Sequence, residues 1–177
     1  MKDKQKKWDA ASRAQRRVMV AEDVLAQVKL GEIKVTSGTY LSVNQEFAGG
    51  LCQDDALYDV INETRKCKAC AIGSVFYSKI TNYGYCSKDH KMSAMNRGSD
   101  GIEMFETNMV DIMADAFTEK ELRTLEYAFE GYNYGGIEFS EDDGDILRKY
   151  HHKHASDKAR LKAIMKNIIK NKGDFTP

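Results

Sequence analysis

The spacing of apolar positions divides the chain into helical stretches separated by breaks rich in Gly, Asn and Ser. In the first stretch Ala11, Ala14, Val18, Ala21, Leu25 and Val28 recur alternately three and four residues apart. This short heptad seam of small side chains predicts a helix over residues 6–29. The seam covers under three heptads, so packing on the protein's own core and a homodimer contact through residues 11–28 both remain open. Gly31 suits the C-cap. Two short β-prone runs around Ser37-Gly38 predict a hairpin near residues 33–43. Phe47-Ala48-Gly49-Gly50 forms a break, and helical patterns resume over residues 54–66 and 70–80.

The second half is more sharply punctuated. Residues 81–101 read as a polar loop and residues 102–117 as a helix. Thr118-Glu119-Lys120-Glu121 is a capping box that opens another helix, which presents Leu122, Leu125, Ala128 and Phe129 on one side and stops at Gly131. Residues 132–136 form a turn. Ser140, with Asp143 three residues on, starts a helix running through Tyr150. In the last helix Leu161, Ile164, Met165, Ile168 and Ile169 follow the one-face pattern, with Gly173 as its cap. The expectation is a mainly α, compact multi-helix single domain spanning residues 1–177, with at most the short hairpin as β-structure.

Composition adds little to that picture. The chain's single proline is Pro177, so the strongest helix breaker is absent from the interior. No apolar run approaches the roughly 20 residues of a membrane span. Residues 1–7 are charged and lead into Trp8-Asp9, unlike the apolar core of a signal peptide, so the chain is expected in the cytoplasm. The four cysteines, Cys52, Cys67, Cys70 and Cys86, are then expected to be reduced.

Charge patterning is more informative. Basic and acidic side chains balance at 27 each, but they are segregated. Residues 1–17 carry seven basic and two acidic side chains, residues 100–145 two and fourteen, and residues 148–172 nine and one. Blocks of this kind create strong local fields on a neutral molecule. Either the basic ends fold back on the acidic middle, or one lobe is a docking surface. Acidic docking would use Glu138, Glu141, Asp142, Asp143 and Asp145 with the loop tyrosines Tyr132 and Tyr134. Tyr83 and Tyr85 are also placed in a loop by the pattern. Lys158, Lys162, Lys166 and Lys170 form a row at i+4 spacing, suited either to solvent or to phosphates, nucleic acid or a membrane surface.

Cys67-Lys68-Ala69-Cys70, fifteen residues and Cys86-Ser87-Lys88-Asp89-His90 together give C-x2-C and C-x3-H, two paired spacings that would fill the corners of a zinc site. The apolar run Ala71–Tyr77 argues the other way, because two buried thiols on a helix need no metal. A redox dithiol is the third reading. No cofactor is expected, with one structural zinc on Cys67, Cys70, Cys86 and His90 as the alternative. His151 and His154 fall on one helical face, as a metal pair or a solvated helix end. Residues 141–145 lack the alternating ligands of an EF-hand. No phosphate-binding loop, nucleophile elbow or H-E-x-x-H motif is present.

Cys67-Lys68-Ala69-Cys70-Ala71-Ile72-Gly73-Ser74 resembles the C-x-x-C-A-x-G-[AS] signature of small bacteriophage and bacterial proteins whose activity is not known. The closing segment, Leu161 to Pro177, is similar to their last helix and tail, and together the two stretches cover 25 of the 177 residues. The resemblance implies a phage-type accessory protein, acting in the host cytoplasm, and brings no catalytic residues with it. Expectation therefore leans away from an enzyme. It favours a protein that binds and modulates, or inhibits, a host protein through an acidic surface. The alternative is a nucleic-acid-binding module with basic termini.

Overall fold

The computed structural model describes residues 2–43, 66–83, 110–133 and 137–177, and most of these are helical. The first predicted helix is two. Helix α1 (Lys2–Ala10) stops and α2 (Arg13–Leu30) begins behind the N-cap Ser12. The Ser12 hydroxyl accepts from Gln15 N–H, while the Gln15 side chain accepts from Ser12 N–H at 2.8 Å. This reciprocal box satisfies two end donors of a new helix, which the heptad reading ran straight through. The buried face of α2 is also rotated from the predicted seam. It comprises Arg17, Val20, Ala21, Val24, Gln27 and Val28, and Ala11, Ala14, Val18 and Leu25 are only half-buried. Gly31 caps α2 in the left-handed conformation, as expected.

Strands β1 (Ile33–Val35) and β2 (Leu41–Val43) occupy the predicted β-prone runs, but they do not pair as a hairpin. Strand β3 (Cys67–Ala69) lies between them, parallel to β1 and antiparallel to β2, with Ile33 opposite Cys67 and Leu41 opposite Ala69. The link between β1 and β2 is held from outside the sheet. Ser37 N–H donates to Asp157 at 2.8 Å and Gly38 N–H to both Glu130 oxygens at 3.2 and 3.1 Å.

Helix α3 (Ala71–Tyr83) follows β3 directly and is buried along nearly its whole length. It meets α1, α2 and the sheet on different sides, which explains an apolar sequence with no polar face. Trp8 of α1 stacks on Tyr83 at 4.6 Å, so Tyr83 is a core residue and not the loop residue expected. Residues 110–113 are helical and the chain then turns, so this helix ends before the expected 117, while residues 102–109 lie outside the described set. The expected helix over 54–66 also falls outside it, apart from Lys66.

Helices α4 (Glu119–Glu130) and α5 (Glu141–His152) begin where their N-caps placed them, and α6 (Asp157–Lys170) lies where its apolar spacing did. Thr118 and Glu121 form the predicted capping box, Gly131 closes α4, and Ser140 accepts from Asp143 N–H. Leu122, Leu125, Ala128 and Phe129 are buried, as are Leu161, Ile164, Met165 and Ile168. Asn171, and not Gly173, is the C-cap of α6. Gly173 instead packs on Ala14, whose carbonyl oxygen lies 2.5 Å from where a Cβ would sit. Beyond it Asn167 clasps the Thr176 backbone, accepting its N–H at 2.9 Å and donating to its carbonyl at 2.6 Å.

Candidate functional site

The cysteine signature is a strand-to-helix junction, not one face of a helix. Cys67 is in β3, and Cys70 N–H donates to Thr39 O at 2.8 Å as the chain turns into α3. Both thiols are buried. Burial pushes Cys67 up to about 12, with Glu32 adding to the effect, and raises Cys70 further still. The neutral thiol is the unreactive form, so neither is poised as a nucleophile. Gly73 is fixed by contact, because a Cβ there would lie 1.5 Å from Tyr40 O, and Ser74 Oγ donates to Cys70 O at 2.6 Å. Cys86 and His90, the other half of the zinc motif, lie outside the described residues, as do Tyr85 and Tyr134. Among the described residues no group of three His, Cys, Asp or Glu side chains is arranged to hold a metal ion. His151 and His154 do not meet as a pair. His151 Nδ1 donates to Phe129 O at 2.7 Å, whereas His154 lies beyond the end of α5 and packs on Tyr150. Burial lowers both imidazoles.

The acidic block divides into two parts with opposite surroundings. In the first part three carboxylates are paired with cations of the fold, while Asp111 and Glu119 stand exposed. Asp115 takes the Trp8 indole N–H at 2.9 Å and pairs with Arg16 and with Lys79, whose ammonium is buried and also donates to Ile112 O at 2.6 Å. Glu121 pairs at 2.8 Å with the buried Arg17. Glu126 pairs at 2.7 Å with Arg123 and accepts from the Tyr40 hydroxyl. Glu130 sits in the same pocket of charge. Burial, then Glu126 and Asp157, push its carboxyl up to about 7, against the opposing pull of the Gly38 N–H and Arg160. Nothing in the residue pattern signals this buried cluster. Arg123, Glu126 and Glu130 lie at i, i+3 and i+7, a spacing that reads equally well as a solvated, salt-bridged face.

The second part is turned to solvent. Glu138, Glu141, Asp142 and Asp143 are exposed, and no ion pair among the described residues joins any of them. Three of them occupy the first turn of α5, where the helix dipole favours negative charge. Asp145 shares Arg148 at 2.9 Å, with both side chains about half exposed. Ile146, three and four residues beyond Asp143 and Asp142, is 46% exposed, and Tyr132 is 48% exposed. Under this turn lies a cleft of about 250 Å³ lined by Tyr127, Phe139, Ser140, Glu141, Asp145 and Arg148. The lysine row runs along α6, with Lys158, Lys166 and Lys170 exposed and Lys162 half-buried. None of the four is in an ion pair among the described residues.

No family model, curated protein or solved structure matches the chain. No helix among the described residues is long and apolar enough to cross a membrane.

Proposed function

We propose that this chain is a non-enzymatic protein-binding module of the phage accessory kind. In this reading it docks a basic surface of a host protein on the acidic first turn of α5 and modulates that partner. The observation that supports it is the contrast within the acidic block. Asp115, Glu121 and Glu126 are each matched by a buried cation, Lys79, Arg17 or Arg123, whereas Glu138, Glu141, Asp142 and Asp143 stand in solvent beside an exposed Ile146 and a cleft able to take a side chain. Unpaired like charges held this close repel each other and are retained more readily where they serve recognition.

The test reverses Glu141, Asp142 and Asp143 to lysine and follows folding and partner capture on one variant. Melting should fall only by the loss of these local interactions, about 0.3–1 kcal/mol for each exposed charge near a helix end, at about 2–4 °C per kcal/mol for a chain of this size. Association with the captured partner should slow, and its salt dependence should flatten. A large fall in melting temperature with unchanged affinity would end this reading. A second reading, nucleic-acid binding, is favoured by the unpaired lysine row on α6. It requires duplex binding whose log affinity falls linearly with log salt and is lost on replacing Lys158, Lys166 and Lys170 with glutamine.

A further inference from the structure

An open apolar groove of about 680 Å³ lies between α1–α2 and α6, floored by Val18, Met19 and Ile169, with Lys7 and Lys172 among its lining. Among the described residues no acidic side chain lines it. Lys162 and Lys166 precede Ile169 by seven and three residues, so they extend the positive border along the same stripe of α6. Ala11 and Val18, two members of the heptad seam that the core leaves half-exposed, are also part of this groove. The same molecule carries the complementary shape and charge elsewhere. Ile146 projects from α5 beside Asp142 and Asp143, and Arg148 and Lys149 mark where that helix turns basic, so its negative charge is confined to residues 141–145.

We propose that the groove receives the first two turns of α5 from a second copy of the chain, joining molecules head to tail. This rests on the reading of that acidic turn as a docking face and names one partner for it. Charge decides against the symmetric alternative. Two copies joined groove to groove through residues 11–28 would set Lys7 and Lys172 of one against the same lysines of the other. Head-to-tail contact opposes lysines to Asp142 and Asp143 and places Ile146 on the Val18–Met19–Ile169 floor. With a formal net charge of +0, the copies have no overall repulsion to overcome. A contact between two different surfaces does not stop at a pair unless a ring closes, so assembly proceeds beyond the dimer. A second copy and a host protein then compete for one face.

The full-length chain is followed by sedimentation from about 1 µM to about 1 mM, the range in which small interfaces dissociate. Measurements are made in about 0.1 M and about 1 M salt, where screening lengths are about 10 Å and about 3 Å. Average mass should rise with concentration in low salt, pass that of a dimer, and fall back in high salt. Two variants, Asp142→Lys with Asp143→Lys, and Lys7→Glu with Lys172→Glu, alter exposed side chains only. Each should weaken self-association about tenfold or more, because each opposes like charges. Their equimolar mixture should associate again, since each reversed surface then meets its complement. If Lys172→Glu disturbs folding, Lys166→Glu replaces it. A wild-type chain that stays monomeric throughout overturns the proposal, as does a mixture that fails to associate. Association that the groove reversals abolish and the α5 reversals leave intact also overturns it. A monomeric wild type whose α5 variant still loses its host partner sinks self-association alone and leaves the docking face standing.

Discussion

A methyl group on Gly73 would lie 1.5 Å from the carbonyl oxygen of Tyr40 and 2.5 Å from its carbon, which are backbone atoms that cannot step aside. Gly73→Ala is therefore expected to cost about 3 kcal/mol, the upper range for overpacking, read as a lower midpoint in urea. The glycine stood in the sequence as part of a signature, but its reason did not, because the contact joins residues far apart in the chain. Glu130 is a second such case. Its carboxyl titrates near 7 in the fold against an ordinary value of 4.5, with Glu126, Asp157, Arg160 and Cys70 around it. Between those values the folded chain keeps a proton that the unfolded chain has released. Stability should thus fall as pH rises through that window, by up to about 1.4 kcal/mol per unit, and level off above it. Glu130→Gln, which keeps an acceptor for Gly38 N–H, should flatten that slope in melts taken at pH 5, 6 and 7. An unchanged slope would place the titration elsewhere.

Elements were legible wherever the side chains that bound them lie next to them. Thr118 with Glu121, Ser140 with Asp143, and Gly131 marked α4 and α5 in advance, because caps are local chemistry. The same chemistry at Ser12 and Gln15 was overlooked, because apolar spacing continued across it on a helix that actually breaks. Thr118→Ala and Ser12→Ala should each cost about 1 kcal/mol. Helical circular dichroism just below the transition would register both, and a silent Ser12→Ala would mean that the α1–α2 break is held by packing alone. The sheet was the least legible element. Its middle strand is three residues long and was absorbed into the helix that follows, and nothing near Ile33 or Leu41 signals a partner at Cys67.

At the scale of the molecule, segregated charge in the sequence became two populations in space. Arg17 joins the basic start to both the acidic middle and the tail, donating to Gly173 O at 2.7 Å and Ala116 O at 3.3 Å while pairing with Glu121 and Asp174 at 2.8 Å. Arg17→Met would leave the two carbonyls without this donor and should destabilise the fold by about 3 kcal/mol. Neutralising any one exposed carboxylate on α5, as in Asp142→Asn, should cost far less, about 0.3–1 kcal/mol. Denaturation of the two variants side by side checks the division, and equal losses would show that the acidic turn is also part of the internal balance. The candidate surface was legible as a stretch of carboxylates. Which of them face solvent was not, since that depends on where Arg16, Arg17, Lys79 and Arg123 reach in three dimensions.

The strand order gives synthesis a direction. When the nascent chain has been made as far as Val43, β1 and β2 exist as sequence but the strand that lies between them has not yet been translated. The two cannot close on each other without giving up the registers each keeps with Cys67–Ala69. Their backbone donors and acceptors therefore wait, as open edges able to pair with any extended segment nearby, until residues 67–69 arrive. A message cut short upstream of Cys67 would release two sticky strands, not a smaller working protein, and quality control would have to clear them.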